Sequence, residues 1–107
     1  MQGFVFRLLA PRPTFMSDMS PEERETMARH VGYWTRLAEE GTAIAFGPVA
    51  DAAGAYGIGV VLAAGLDDAE ALRDGDPAMR SPHGFRTEIA PMLRLVTPNR
   101  TYDATPG

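Results

Sequence analysis

The chain is 107 residues long and carries ten basic against fourteen acidic side chains, a formal net charge of −4; every basic residue is an arginine, and neither lysine nor cysteine occurs. Those absences exclude Schiff-base chemistry, a phosphate-loop lysine, a thiolate nucleophile, a disulfide framework and Cys-ligated zinc or iron–sulfur centres. With 45% hydrophobic and 22% charged residues, the chain is expected to fold as one domain with its own core, and acid–base work near neutral pH falls to His30, His83 or a carboxylate in unusual surroundings.

The first element is Phe4-Val5-Phe6-Arg7-Leu8-Leu9-Ala10. Aromatic and branched residues without glycine or proline, stopped by Pro11 and Pro13, predict a central strand buried on both faces. Residues 11–19 follow as a loop long enough to carry function. Ser20-Pro21-Glu22-Glu23 then combines a serine N-cap, a proline at the first helical position and a glutamate at N3. A helix is expected from there to Glu40, with Gly41 as its left-handed cap. On a helical wheel Met27, Val31, Trp34, Leu37 and Ala38 share one arc, with Glu25, Arg29, Arg36 and Glu39 opposite. His30 falls inside the apolar arc, between Leu37 and Trp34, where a histidine is unusual.

Residues 42–49 predict a second strand, with Ile44 and Phe46 on one face and Ala43, Ala45 and Gly47 on the other. Asp51-Ala52-Ala53-Gly54 is a turn in which Gly54 can take positive φ. In residues 55–64, Tyr56, Ile58, Val60, Leu62 and Ala64 alternate with Ala55, Gly57, Gly59, Val61 and Ala63. A third strand with one bulky and one small face follows, forming a hairpin with the second. Asp67-Asp68-Ala69-Glu70 repeats the capping-box spacing, with Asp67 as N-cap, and its helix closes at Gly75. Asp76-Pro77 is a fresh N-cap and N1 proline, starting a short helical turn to Met79 or Arg80. Ser81-Pro82-His83-Gly84 is a loop, and residues 85–96 form the last strand, with Pro91 near its middle.

The order βαββαβ predicts an α+β, ferredoxin-like domain over residues 1–97: a four-stranded antiparallel sheet with two helices on one face, followed by a polar tail, 98–107. In this threading the first and third strands are central, and Pro48 and Pro91 fall on edge strands, which tolerate a missing donor. The uncovered sheet face is expected to be apolar and to pair with the same face of a second copy, making a homodimer. An acidic chain with its arginines scattered from Arg7 to Arg100 does not suit nucleic acid. Its longest apolar stretch is too short to span a membrane, and Arg7 interrupts the only N-terminal apolar run before it reaches leader length. A cytoplasmic setting is the expectation.

His30 is the leading candidate for chemistry, and its plain alternative is a core histidine bonded to a neighbour. Thr26, Met27, Tyr33 and Trp34, its neighbours at helical spacing, are not strong metal ligands. No metal or other cofactor is therefore expected. Asp76 has an ordinary explanation as an N-cap, Asp51 as the residue that closes an Asx turn, and His83 as an exposed loop residue. Arg12, stiffened between two prolines after a central strand, suits an anion site or a surface ion pair equally. Phe15, Tyr33, Trp34 and Phe46 read as core or interface aromatics.

In order along the chain, Arg29-His30-Val31-Gly32-Tyr33-Trp34, Gly41, Phe46-Gly47-Pro48-Val49-Ala50-Asp51, Asp76-Pro77 and Glu88-Ile89-Ala90-Pro91-Met92 resemble the YCII-related (YciI-like) family. The likeness runs over residues 4–95. It implies a dimeric α+β barrel in which two open sheet faces meet and leave a cleft beside each first helix. It also implies that His30 and Asp76 act as a His–Asp pair in that cleft, with Asp51 as a second acidic position. Where one branch of the wider superfamily has Asp-Gly-Pro-Phe, this chain reads Phe46-Gly47-Pro48-Val49, so roles specific to that branch are not carried over.

The implied function is acid–base catalysis by a small enzyme. Asp76 would hold the His30 imidazole in one tautomer while the other nitrogen takes a proton from a small enolic, phenolic or lactone-like metabolite, in elimination, isomerisation or a related lyase step. Arg12 would bind a substrate anion; Phe15, Tyr33 and Phe46 would wall the pocket; Asp51 would supply a further polar contact; and His83 would stand by at the rim. The alternative is a non-catalytic dimeric module that binds a small ligand or a partner.

Overall fold

Alternation along the first strand decides which side of the sheet becomes the core. In β1 (Gln2–Leu9), Phe4, Phe6 and Leu8 are buried, whereas Val5 and Leu9 are half-buried and Arg7 is exposed. The expectation of burial on both faces is thus corrected: one face carries the chain's core and the other carries Arg7, whose charge is not compatible with a sealed interior. The computed structural model describes residues 1–104.

After β1 the chain makes a one-turn helix, α1 (Phe15–Asp18), within the segment expected to be a loop, because Phe15 is drawn into the core. The long helix α2 (Pro21–Glu39) starts as its capping signals require. The Ser20 hydroxyl accepts from the Glu23 N–H, the Glu23 carboxylate accepts from the Ser20 N–H, and Pro21 takes the first position. It ends before Gly41, whose φ of +82° favours glycine.

Strand β2 (Ala43–Val49) and strand β3 (Tyr56–Ala63) form the expected hairpin across the Asp51 turn, with Asp51 Oδ1 accepting from the Ala53 N–H and Gly54 at φ +127°. Helices α3 (Leu66–Gly75) and α4 (Pro77–Arg80) follow, then β4 (Arg86–Pro91), and a small two-stranded sheet of β5 (Arg94–Val96) and β6 (Thr101–Asp103). The main sheet is antiparallel in the order β2-β3-β1-β4. This is the ferredoxin-like arrangement, with Pro48 and Pro91 on its edge strands.

The core lies between this sheet and the helices. One cluster gathers Phe4, Phe6, Trp34, Leu37, Ala43, Val61, Ala63 and Ala69, and a second gathers Leu8, Phe15, Ala78 and Phe85. Phe6 meets Trp34 edge-on at 5.5 Å, and Phe15 meets Phe85 edge-on at 5.1 Å.

Several local expectations are corrected. The buried face of α2 is turned toward α4: Glu23, Thr26, Trp34 and Leu37 are buried, while Val31 is 50% exposed. A bulge between Ala43 and Ala45 breaks the alternation of β2 and leaves Ile44 on the surface. Helix α3 starts at Leu66, with Gly65 in place of the expected Asp67 as its cap and no side-chain cap bond. That start puts Ala69 inside, fully buried, and leaves Asp67 and Asp68 exposed in the first turn, where acidic residues suit the helix dipole. The last strand breaks at Pro91, which has no N–H to extend the ladder. Leu95 then packs against Gly3, and residues expected to trail away pair with β5 instead. Residues 105–107 of that expected tail lie outside the described residues.

Candidate active site

The Asp76-Pro77 step builds the site. A residue preceding proline is steered out of the helical region, and Asp76 accordingly sits at φ −68°, ψ 126° between α3 and α4. Helix α3 must end there, and the Asp76 carboxylate turns back to cap α4, with Oδ1 accepting from the Ala78 N–H at 2.9 Å. The same carboxylate faces α2. His30 Nδ1 lies 2.9 Å from both of its oxygens, and Trp34 Nε1–H donates to Oδ2 at 2.9 Å.

These contacts settle the tautomer. A carboxylate only accepts, so His30 Nδ1 carries the proton it donates to Asp76, and in the neutral ring Nε2 is the acceptor. Nε2 has no hydrogen-bond partner among the described residues. No buried side-chain nitrogen or oxygen there goes unpaired, so Nε2 is open to the space beside it. The His30 side chain is 12% exposed and that of Asp76 is 5% exposed.

That space is a cavity of about 220 Å³ between the helix-facing side of the sheet and α1, α2 and the loop before β3. His30, Trp34 and Asp76 share its wall with Phe15, Phe46 and Met27. Glycines of β3 make room for it. A Cβ at Gly59 would come within 2.5 Å of the Trp34 ring, so only glycine lets the indole lie flat enough on the strand to reach Asp76.

Of the residues expected to contact a ligand, Phe15 and Phe46 line the cavity and the others do not. The Arg12 guanidinium grips both Glu23 oxygens at 2.8 Å and Asp18 at 2.8 Å. Those hydrogen bonds, that to Glu23 first, raise the Arg12 pKa above its ordinary value. In return Arg12, with the Ser20 N–H, pulls Glu23 from 4.5 down to about 2. The Thr14 hydroxyl, then Arg12, lower the Asp18 pKa. Tyr33 points toward α3, donating to the Leu72 carbonyl at 2.7 Å; burial, then the Asp76 charge, raise the pKa of its phenol. Asp51 stays in its turn. His83 is half-buried, not exposed: its Nε2 meets the buried Thr26 hydroxyl at 3.0 Å, outside the cavity.

Sequence reasoning missed Trp34 as the second donor to Asp76. The available signal was its position one turn after His30 on the same helix face. Met16, Met19 and Met27 on the wall were missed as well; methionines scattered over a loop and a helix carry no pattern that marks a pocket.

The fold and this geometry define a ferredoxin-like α+β domain with a His–Asp pair set at the wall of an apolar cavity. The profile of the YCII-related domain matches residues 4–93, and the chain belongs to that family. A search of curated proteins finds none that matches it. No helix among the described residues is long and apolar enough to cross a membrane.

Proposed function

We propose that this protein is an enzyme in which His30 acts as general base and acid toward a small metabolite held in the cavity, with Asp76 as its positioning carboxylate. The supporting observation is the bond from His30 Nδ1 to both Asp76 oxygens at 2.9 Å, which leaves Nε2 on the cavity wall. In the forward step Nε2 removes a proton from a carbon or hydroxyl of the substrate, and Asp76 stabilises the resulting imidazolium. The same proton is then returned to another position of the substrate or to a leaving group, giving isomerisation or elimination. Phe15 and Phe46 wall the pocket. The working form is a homodimer paired through the open sheet face, in a cytoplasmic setting.

A second reading, a ligand-binding module without chemistry, has one observation in its favour. Asp76 also caps α4 and holds Trp34, so the fold alone has a use for its carboxylate. Solvent exchange separates the two. An enolisable cyclic ketone incubated with the protein in D2O is expected to take up deuterium, followed by NMR. His30→Gln is expected to slow that exchange by about 100-fold or more. Equal exchange by the wild type and His30→Gln would leave the binding module as the better description.

A further inference from the structure

We propose that the cavity beside His30 selects uncharged, single-ring ligands with one polar substituent and rejects anions. The inference rests on reading this cavity as the place where His30 meets its substrate. Not one of the ten arginines contributes to the wall, and the chain has no lysine. Two arginines stack on rings of lining residues from outside the cavity, Arg7 from the opposite face of the sheet, and both are spoken for. Arg12 stacks 5.4 Å from the Phe15 ring and is held by Glu23 and Asp18, while Arg7 stacks 4.4 Å from the Tyr56 ring and pairs with Glu88 at 3.7 Å.

The polar atoms of the wall are mostly used within the protein as well. The Trp34 N–H is bonded to Asp76, and the Thr87 hydroxyl is turned to the Met79 sulfur at 3.1 Å. What is left for a ligand among the side chains is His30 Nε2, set among phenylalanine and methionine side chains. The one carboxylate on the wall, Asp76, repels a second negative charge. A buried anion would therefore lose its hydration without gaining a standing cation, a cost that falls on charged groups far more than on neutral ones. An uncharged ring has no such penalty, and its single donor or acceptor can meet the His30 nitrogen.

Size points the same way. An apolar cavity of about 150 Å³ takes one benzene, so about 220 Å³ holds one ring with a short substituent. The methionines adapt to its outline, which makes charge, more than exact shape, the property being read.

Trp34 is the only tryptophan and lies on the wall, so its emission reports binding at this place. Titration at neutral pH with benzyl alcohol and with benzoate, near-isosteric and differing in charge, tests the inference. Benzyl alcohol is expected to change the emission saturably, with benzoate at least about tenfold weaker, the equivalent of about 1.4 kcal/mol. Benzoate binding as tightly as benzyl alcohol, or no saturable change with either, overturns the proposal. The acid–base reading fails separately. If the preference for benzyl alcohol persists undiminished in His30→Ala, anion exclusion stands while His30 is removed from contact with the ligand. If benzoate binds the wild type well but binds His30→Ala poorly, the selectivity is refuted while His30 keeps its place in the site.

Discussion

Asp76 carries three duties on two oxygens: it caps α4, fixes Trp34 and orients His30. A histidine among core residues is tolerable only because this carboxylate satisfies it, and the same contact gives the ring its direction. Glu23, on α2, is the other buried acid, and its partner is Arg12. With the Glu23 pKa at about 2 against an ordinary 4.5, its stabilising contribution is fully present above about pH 4.5 and is lost as the pH falls through about 2. Glu23→Gln keeps an acceptor for the capping box but cannot titrate. Its stability, from urea unfolding at a series of pH values, is expected to fall less between neutral pH and about pH 2 than that of the wild type. An identical acid slope in both proteins would mean that the Arg12 pair is not coupled to folding.

At the level of elements, the site depends on how closely α2 approaches β3. Gly59 sets that approach, since its missing Cβ is the space the Trp34 ring occupies. Gly59→Ala is expected to cost about 1–3 kcal/mol in urea unfolding, as an overpacked core does. Gly47→Ala, with nothing within 4 Å of its would-be Cβ, should stay within about 0.5 kcal/mol of the wild type. Equal effects at both positions would contradict the packing argument.

The elements also divide into those legible in the sequence and those that were not. The capped start of α2, the Gly41 stop, the Asp51 turn and the Asp76-Pro77 start of α4 were readable because each depends on bonds between near neighbours. His30 and Asp76 were legible as residues, and their pairing was implied by family likeness. Of the two readings open for Arg12, the structure shows the ion pair; nothing local could choose between them, because only the docking of α2 brings Glu23 against the guanidinium. The small face of β3 was legible as small, but not as the core side. It is the side that faces the helices, since Trp34 supplies the bulk that glycine leaves out. The bulge in β2 and the break after Pro91 likewise answer to tertiary contacts, the latter to Leu95 seated on Gly3.

For the whole molecule, the helices cover one face of the sheet, and the other shows Ile58, Val60 and Leu62 beside Arg7 and Glu88. This face is more polar than the sequence suggested, and the Arg7–Glu88 pair with Tyr56 beneath the guanidinium interrupts its apolar surface. Light scattering at micromolar concentration is expected to give twice the 11.6 kDa chain mass; a monomer would count against the proposed pairing. Cavity, histidine and carboxylate nevertheless lie within a single chain, and the central proposal is that Asp76 aims a basic Nε2 of His30 into that cavity. Nitrogen-15 NMR of the histidine side chains tests this most directly. In the neutral ring His30 is expected to carry its proton on Nδ1, and Asp76→Asn is expected to shift the population toward Nε2–H, the form favoured by free imidazole side chains in water. A wild-type His30 protonated on Nε2, or a tautomer that does not respond to Asp76→Asn, would contradict it.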